Sequence, residues 1–186
     1  MAVKFKHGDS YTMYFCTFTC YNWLPLFDTT NPYDLVYKWF DELKKNNQEV
    51  ISYVIMPNHF HAILYFPQTG YDLNKIIGNG KRLIAYEIIE RLKQQIENDL
   101  LQLLAAAVTE REKNKGQLHR VFEESFDAKP VYNQNFFMQK FNYIHHNPVS
   151  GKWNLVNDYT DYEHSSASFY DLGIIKGYEP FDFRIL

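Results

Sequence analysis

The sequence has no excess of positive charge, only two cysteines and no long apolar run. Its 19 lysines and arginines stand against 22 acidic residues, which gives a net charge of −3. The strongly basic composition of many nucleic-acid-binding domains is therefore excluded, although a local basic groove can still bind a short single-stranded segment. No apolar run approaches the roughly 20 residues that a membrane span needs.

The N-terminal residues MAVKFKHGDSYTMYF also lack the apolar stretch and the small-residue cleavage site of a secretory signal peptide. We therefore expect a cytoplasmic protein with no membrane partner. Cys16 and Cys20 lie four positions apart in a strand-like stretch, without the CxxC spacing of a metal knuckle. We expect two buried free thiols.

Length and composition indicate one globular domain over residues 1–186. The chain is 46% hydrophobic and 22% charged, which is typical of a folded domain. Its aromatic content of 18% is high, and it indicates either a core or a base-stacking surface rich in rings.

The first half of the chain predicts a strand, a helix and a hairpin. Residues 11–20 are rich in aromatic and β-branched side chains, which favours a strand. Residues 33–46 repeat apolar side chains on one helical face. Two apolar runs, 50–56 and 59–66, are separated by Pro57 and Asn58, a pair with turn chemistry. We expect them to pair as a hairpin.

The second half predicts one long helix, a weak strand and a shorter helix. The long helix extends from Asp72 to about Lys115, with an interruption at Gly78 to Gly80. It exceeds what a small sheet can cover, so we expect part of it to contact a second copy or to project as an arm. A weak strand at 119–126 precedes a helix at 133–147, which Pro148 ends.

This order of elements predicts an α+β fold: a ferredoxin-like, split βαβ antiparallel sheet with helices on one face. Dimerisation is expected from the unpaired part of the long helix.

Two histidines on the second hairpin strand form a candidate metal site. Because side chains alternate along a strand, His59 and His61 share one face and Phe60 lies on the other. Two imidazoles on one face suit a divalent metal when further ligands come from elsewhere. Iron oxygenases would require a carboxylate in the motif, which is absent here. The alternative is a pair of edge-strand or hydrogen-bonded core histidines.

The last helix carries a tyrosine beside its apolar stripe. Tyr143 lies on the flank of this helix, with Lys140 one turn before it and Asn147 one turn after. A phenol attacks poorly until it loses its proton, so a nucleophilic tyrosine needs a nearby cation and an electrophile polarised by a metal. Lys140 and a bound ion would supply both. Alternatively, Tyr143 is a boundary residue anchored by its ring, and Asn147 is a helix C-cap.

The two histidines next to the tyrosine are interpreted differently. His145 and His146 turn away from the line of Tyr143 and Asn147 on the helix. We expect both to be surface or capping residues.

Three segments together resemble the REP-associated tyrosine transposases and related single-tyrosine insertion-sequence transposases, the single-tyrosine HUH class. They are YVIMPNHFHAIL at 53–64, FMQKFNYIHHNPVSGKW at 137–153 and DYTDYEHSSASFY at 158–170. The resemblance implies that His59, His61 and Asn147 hold Mg²⁺ or Mn²⁺ and that Tyr143 cuts single-stranded DNA. It also implies a ferredoxin-like fold, a homodimer and strand transfer through a 5′-phosphotyrosine link, without a nucleotide cofactor.

Two further readings stay open. A domesticated protein of the same fold would bind DNA or RNA hairpins without cutting them, a reading favoured by the acidic balance and by Phe122 and Glu123, where relatives often carry Trp-Gln. A metal hydrolase acting on other substrates is the third reading. Six basic residues are candidate phosphate contacts: Lys75, Lys81, Arg82, Lys129, Lys140 and Lys152.

Overall fold

The computed structural model describes residues 10–185, and at its centre is a four-stranded antiparallel sheet. The strands are β1 (Met13–Thr19), β2 (Glu49–Met56), β3 (His59–Tyr65) and β4 (Asp127–Pro130). They lie side by side in the order β2-β3-β1-β4, so β3 separates β2 from β1. This is the order of a split βαβ sheet, and it confirms the predicted α+β, ferredoxin-like class.

Seven α-helices surround the sheet in the described part of the chain. They are α1 (Leu26–Thr30), α2 (Tyr33–Lys45), α3 (Leu73–Gln94), α4 (Asn98–Ala106), α5 (Glu110–Lys113), α6 (Gln134–His146) and α7 (Ala167–Leu172). Short 3-10 turns occur at Tyr21–Trp23, Asn147–Val149, Tyr159–Asp161 and Phe183–Ile185. None of the helices within residues 10–185 is both long and apolar enough to cross a membrane.

Helices cover both faces of the sheet, which corrects the expectation of helices on one face. On the face that we call the aromatic face, α2 and α3 pack on one cluster of buried side chains, which includes Phe18, Phe40 and Phe60. On the opposite face, the histidine face, α6 packs through Phe137 and Phe141 on a second cluster. Residues of β2 and β3 alternate between the two faces, and these two strands are buried on both.

The predicted long helix is three helices. Residue Ile96 has a φ of 61° between α3 and α4, and the chain reverses there. Glu97 N–H donates to the Leu92 carbonyl at 3.0 Å, which satisfies the end of α3. The chain then folds back until Leu104 is fully buried. The expected projecting arm is therefore wrong, because the apolar residues of α4 return to the aromatic face.

The glycines predicted to interrupt this helix lie inside α3. At Gly80, an added Cβ would overlap the ring of Trp39 on α2. At Gly78, an added Cβ would meet nothing. Gly80 thus allows α2 and α3 to approach closely, which is a packing role and not a break.

The predicted hairpin is confirmed. The weak strand predicted at 119–126 is not, because the fourth strand of the sheet begins after these residues. β2 and β3 pair in antiparallel register around the turn at Pro57 and Asn58. The fourth strand begins only at Asp127, and Phe122 makes an isolated bridge to Cys20. Phe122 is buried against Phe18 instead of belonging to a ladder. Both cysteines are buried and free, as expected.

Candidate active site

The alternation of β3 places His59 and His61 side by side on the histidine face. Their ring centroids are 4.7 Å apart, and the side chains are 7% and 5% exposed. Both residues lie opposite β1, where His59 pairs with Thr19 and His61 with Thr17. The predicted convergence of the two imidazoles is present.

Asn58 fixes the orientation of the His59 ring. The Asn58 side chain is fully buried, and its amide Nδ2 donates to the Trp23 carbonyl at 3.0 Å. Its Oδ1 is therefore directed to His59 Nδ1, 2.6 Å away. Because a carbonyl oxygen only accepts, Nδ1 carries the proton and Nε2 keeps its lone pair. This is the arrangement of a histidine that is ready to bind a metal through Nε2.

His61 is held by β1 and faces the tyrosine helix. Its Nδ1 lies 2.6 Å from the Thr17 hydroxyl, and its ring stacks on Phe15 at a centroid distance of 5.5 Å. Its Nε2 lies 3.4 Å from the Tyr143 hydroxyl. One ring nitrogen is thus anchored in the sheet, and the other points to the helix that carries the tyrosine.

Burial keeps both histidines neutral at ordinary pH. It lowers the pKa of His59 to about 4; the Asn147 side chain opposes this shift by hydrogen bonding, and the Lys152 charge adds to it. The pKa of His61 is also well below its usual range, because of burial first and then the charges of His59 and Lys140. Neutral imidazoles are the form that ligates a metal.

Tyr143 reaches this pair from the last turns of α6. The helix begins after Asn133, whose side chain accepts from Phe136 N–H at 2.8 Å as an N-cap. Phe137, at the start of the apolar stripe, is buried on the sheet, whereas Tyr143 on the flank is 47% exposed. Its ring centroid lies 5.1 Å from that of His61. A hydroxyl that faces both solvent and a histidine is accessible to a substrate.

Asn147 and Lys140 lie on either side of the tyrosine, as the helical spacing predicts. Asn147 is the C-cap residue of α6, and its side chain opposes the lowering of the His59 pKa, so it lies close to that imidazole. Asn147 is therefore both the C-cap of α6 and a neighbour of the histidine pair. Lys140 Nζ lies 5.6 Å from the Tyr143 ring centroid and 5.0 Å from that of Phe15. A half-buried cation thus lies next to the phenol.

One predicted phosphate contact has a structural role instead. The Lys81 ammonium donates to the carbonyls of Glu123, Glu124 and Ser125 at 2.7, 3.5 and 3.4 Å. Burial lowers its pKa to about 8, against the opposing charges of Glu123 and Glu124. Because its donors already bind backbone carbonyls, Lys81 is not free to bind a phosphate, which corrects its assignment.

The other predicted cations differ in their surroundings. Lys75, Arg82 and Lys152 are exposed. Lys129 is also exposed and forms an ion pair with Asp127 at 3.3 Å. Of these residues, Lys152 acts electrostatically on His59, so it lies near the histidine pair.

His145 is buried, contrary to the surface position expected for it. Only 2% of the residue is exposed, and its Nε2 lies 2.9 Å from the Ser166 hydroxyl. Ser166 in turn accepts from the backbone N–H of Tyr53 on β2 at 3.0 Å. His145 therefore connects α6 to the Ser-Ser segment and to the sheet. His146 is exposed, as expected, with Nδ1 2.9 Å from the Asn142 carbonyl.

One neighbour of the histidine pair, Trp23, was not predicted from the sequence. This residue follows β1 in a 3-10 turn, is 59% exposed, and places its ring centroid 5.9 Å from that of His59. An aromatic residue in a loop has no periodicity that marks it, so only the three-dimensional structure shows this contact.

The residues present suit a divalent metal. Within residues 10–185, no group of three His, Cys, Asp or Glu side chains is placed to hold one. Beside the pair of neutral histidines, Asn147 carries an amide oxygen, which is a ligand type that divalent cations accept. Two anchored imidazoles and one amide oxygen fit Mg²⁺ or Mn²⁺ when solvent or substrate oxygens fill the remaining positions.

A solved structure of a REP-associated tyrosine transposase bound to a REP hairpin is similar to the chain, with a TM-score of 0.62 and 18% sequence identity. The match covers 98% of this chain and 95% of that chain. The chain has the fold of that transposase.

A protein of Deinococcus radiodurans R1, provisionally named a transposase, also matches, with a TM-score of 0.44 and 14% identity over 76% of this chain and 94% of that one. No protein-family model matches the sequence, and no curated protein matches it. The likeness to the REP-hairpin-bound structure therefore shows the fold of the chain, and its own residues determine its chemistry.

Proposed function

We propose that the chain is a single-tyrosine transposase-like enzyme that binds single-stranded or hairpin DNA, cuts one strand and transfers it. One observation carries the proposal: the Tyr143 hydroxyl lies 3.4 Å from Nε2 of His61, beside His59 and its partner Asn147. The shared fold supports it, because the similar transposase was solved with a DNA hairpin. The proposal treats residues 1–186 as one domain of a cytoplasmic homodimer.

The proposed reaction is a transesterification. The Tyr143 oxygen forms a bond to a backbone phosphorus, and the bond from that phosphorus to the 3′-oxygen breaks. The phenolic proton is balanced by the proton that the leaving 3′-oxygen gains. The product is a 5′-phosphotyrosine ester and a free 3′-hydroxyl. A second 3′-hydroxyl reverses the step and joins a new strand, so no nucleotide cofactor is required.

His59, His61 and Asn147 are the residues that would hold Mg²⁺ or Mn²⁺. Bound there, the ion would polarise a non-bridging phosphate oxygen and stabilise the charge that develops on it. Asn58 and Thr17 hold the two rings in place through their Nδ1 atoms. Their contribution is orientation, which a metal site needs before its ligands can converge.

The lysines near the site have separate proposed roles. Lys140 lies against the Tyr143 ring and favours the phenolate form electrostatically. Lys152 and Lys129 are exposed and are proposed to bind backbone phosphates on either side of the cut. Arg82 is proposed to contact the DNA farther away, on the α3 side.

A covalent adduct tests this function. Purified protein, a labelled DNA hairpin with single-stranded arms, and Mg²⁺ or Mn²⁺ should give a protease-sensitive, slower-migrating species on a denaturing gel. Tyr143→Phe should remove the adduct, because the attacking oxygen is lost. Tyr132→Phe is the matched control, since Tyr132 is also exposed, at 62%, and lies just before α6. An adduct that persists in Tyr143→Phe would refute the assignment.

The same assay separates the non-cutting alternative, which the net charge of −3 favours. A hairpin-binding protein without catalysis would bind equally well with metal or with a chelator and would form no adduct. That result would support DNA binding and refute the proposed cleavage and strand transfer.

A further inference from the structure

The loop after β1 presents an indole ring to solvent beside the histidine pair. Trp23 is 59% exposed, whereas Trp39 is 4% exposed and Trp153 packs against the cluster of the histidine face. The Trp23 ring lies 5.9 Å from His59 between centroids, at an interplanar angle of 69°. A large apolar side chain at this exposure contributes little to a core, and what sets Trp23 apart from other exposed rings is its position beside the histidine pair.

The backbone that carries this ring is held in an uncommon conformation. Asn22 and Trp23 have φ values of 50° and 57°, the left-handed region that bulky residues rarely adopt. Such conformations persist only where the surroundings impose them, and they are concentrated at functional sites. The exposed position of Trp23 is therefore imposed by the conformation of the loop.

Three hydrogen bonds impose that conformation. Asn22 N–H donates to the Glu123 carboxylate at 2.9 Å, and Trp23 N–H donates to the Cys20 carbonyl at 3.1 Å. The third comes from buried Asn58, which donates to the Trp23 carbonyl at 3.0 Å. The same Asn58 side chain accepts from the His59 ring, so one residue positions both the indole and the histidine.

The chemistry around the ring favours a nucleobase as the group that would cover it. Proteins that bind single strands combine exposed aromatic faces, on which bases stack, with cations that follow the backbone. Lys140 Nζ lies 5.6 Å from the centroid of the Tyr143 ring, whose hydroxyl faces His61, and exposed Lys152 acts electrostatically on His59, so cations are present on this face. A base on Trp23 would place its own phosphate near His59.

We infer that Trp23 is a stacking platform for a nucleobase next to the phosphate that Tyr143 attacks. The inference rests on the proposed function. Trp23 is a positioning residue: it holds a neighbouring nucleotide and takes no part in bond formation.

A double-mutant cycle between protein and DNA tests the stacking. All proteins carry Tyr143→Phe, so that equilibrium binding is measured without cutting. The two probes are one hairpin with oligothymidine arms and the same hairpin with abasic arms. The protein variants are Trp23→Ala, Trp23→Phe and a control, Tyr11→Ala, since Tyr11 is 41% exposed and lies before β1, at the opposite end of that strand from Thr19, the partner of His59.

Trp23→Ala should weaken binding of the thymidine-armed hairpin about tenfold, because one stacked base is lost. The same variant should weaken binding of the abasic hairpin by less than about twofold, because there is no base to lose. Trp23→Phe, which keeps a ring, should stay within about threefold of the parent. Tyr11→Ala should change neither affinity.

Equal losses on both hairpins, no loss on either, or an equal loss from Tyr11→Ala would overturn the stacking role and leave DNA binding intact. A parent protein that binds neither hairpin would instead refute the proposed function, and the stacking role with it. The two failures are thus distinguishable in one data set.

Discussion

On the aromatic face of the sheet, β3 contributes Phe60 and Ala62, which are completely buried beneath α2 and α3. On the histidine face, the same strand contributes His59 and His61, which are buried almost as well but next to an exposed tyrosine. The aromatic face is closed by ring packing. The histidine face is covered by α6 only in part, and the Nδ1 atom of each of its two strand histidines is paired with a side chain, that of Asn58 or Thr17.

This difference shows how one strand serves both stability and chemistry. Apolar packing on the aromatic face is non-directional, and its contribution to stability scales with the buried area. The histidines on the other face depend instead on specific hydrogen-bond partners, Asn58 and Thr17. We therefore expect substitutions on the aromatic face to act on folding, and those on the histidine face to act on the proposed reaction.

The largest expected effect is a difference in the free energy of unfolding between variants of Phe60 and of its neighbour His61. Phe60 stacks on Phe18 at 4.7 Å and contacts Trp39 and Phe40. Phe60→Ala should lower the free energy of unfolding by about 4 kcal/mol, measured by urea titration. His61→Ala should cost only about 1 kcal/mol, yet abolish the DNA adduct. Comparable losses of stability in the two variants would contradict the distinction between the faces.

A smaller effect is expected where α2 and α3 meet on the aromatic face. Gly80→Ala should destabilise the protein by about 2 kcal/mol, because the new methyl group overlaps the Trp39 ring. Gly78→Ala is the matched control in the same helix, since its Cβ meets open space. It should stabilise the protein by about 0.5 kcal/mol through helix propensity. Thermal unfolding distinguishes the two, and a stabilised Gly80→Ala would disprove the close approach.

The smallest expected effect is a pH dependence that comes from the histidine face. Burial lowers the pKa of His145 to about 4 in the folded protein, from about 6.5 when unfolded. The unfolded state then binds more protons below about pH 6.5, so stability is complete above that pH and is lost towards about pH 4.

His145→Gln should therefore reduce the stability difference between about pH 7 and about pH 5 by about 1 kcal/mol. The measurement is urea unfolding at both values with a chelator present, so that metal release makes no contribution. An unchanged pH dependence in the variant would mean that His145 is not buried in its neutral form.

Local patterns predicted the elements that position the site. The hairpin could be predicted because apolar runs of strand length flank a turn, and α6 because its apolar residues recur with the helical period of 3.6. Pro148, just after α6, marked the end of that helix. The break at Ile96 was not predicted, since no proline or glycine marks it and only tertiary packing imposes the positive φ.

The environment of individual polar residues was less predictable. Lys81 and His145 appear as ordinary charged or polar positions in the sequence, yet each is paired with an element far along the chain. Lys81 meets Glu123, and His145 meets Ser166. Such contacts depend on how distant segments come together, which no local spacing records.

The register between β1 and β3 has one more consequence. His61 lies opposite Thr17, and Phe60 opposite Phe18. Because side chains alternate strictly, a slip of the pairing by one residue would turn both histidines into the aromatic core and Phe60 outwards. Tyr143, 82 residues after His61, would then lie beside Phe60 and have no histidine as its partner. Under the proposed function, a chain with the wrong register would therefore be unable to cut DNA, because the candidate site forms only when the correct ladder is complete.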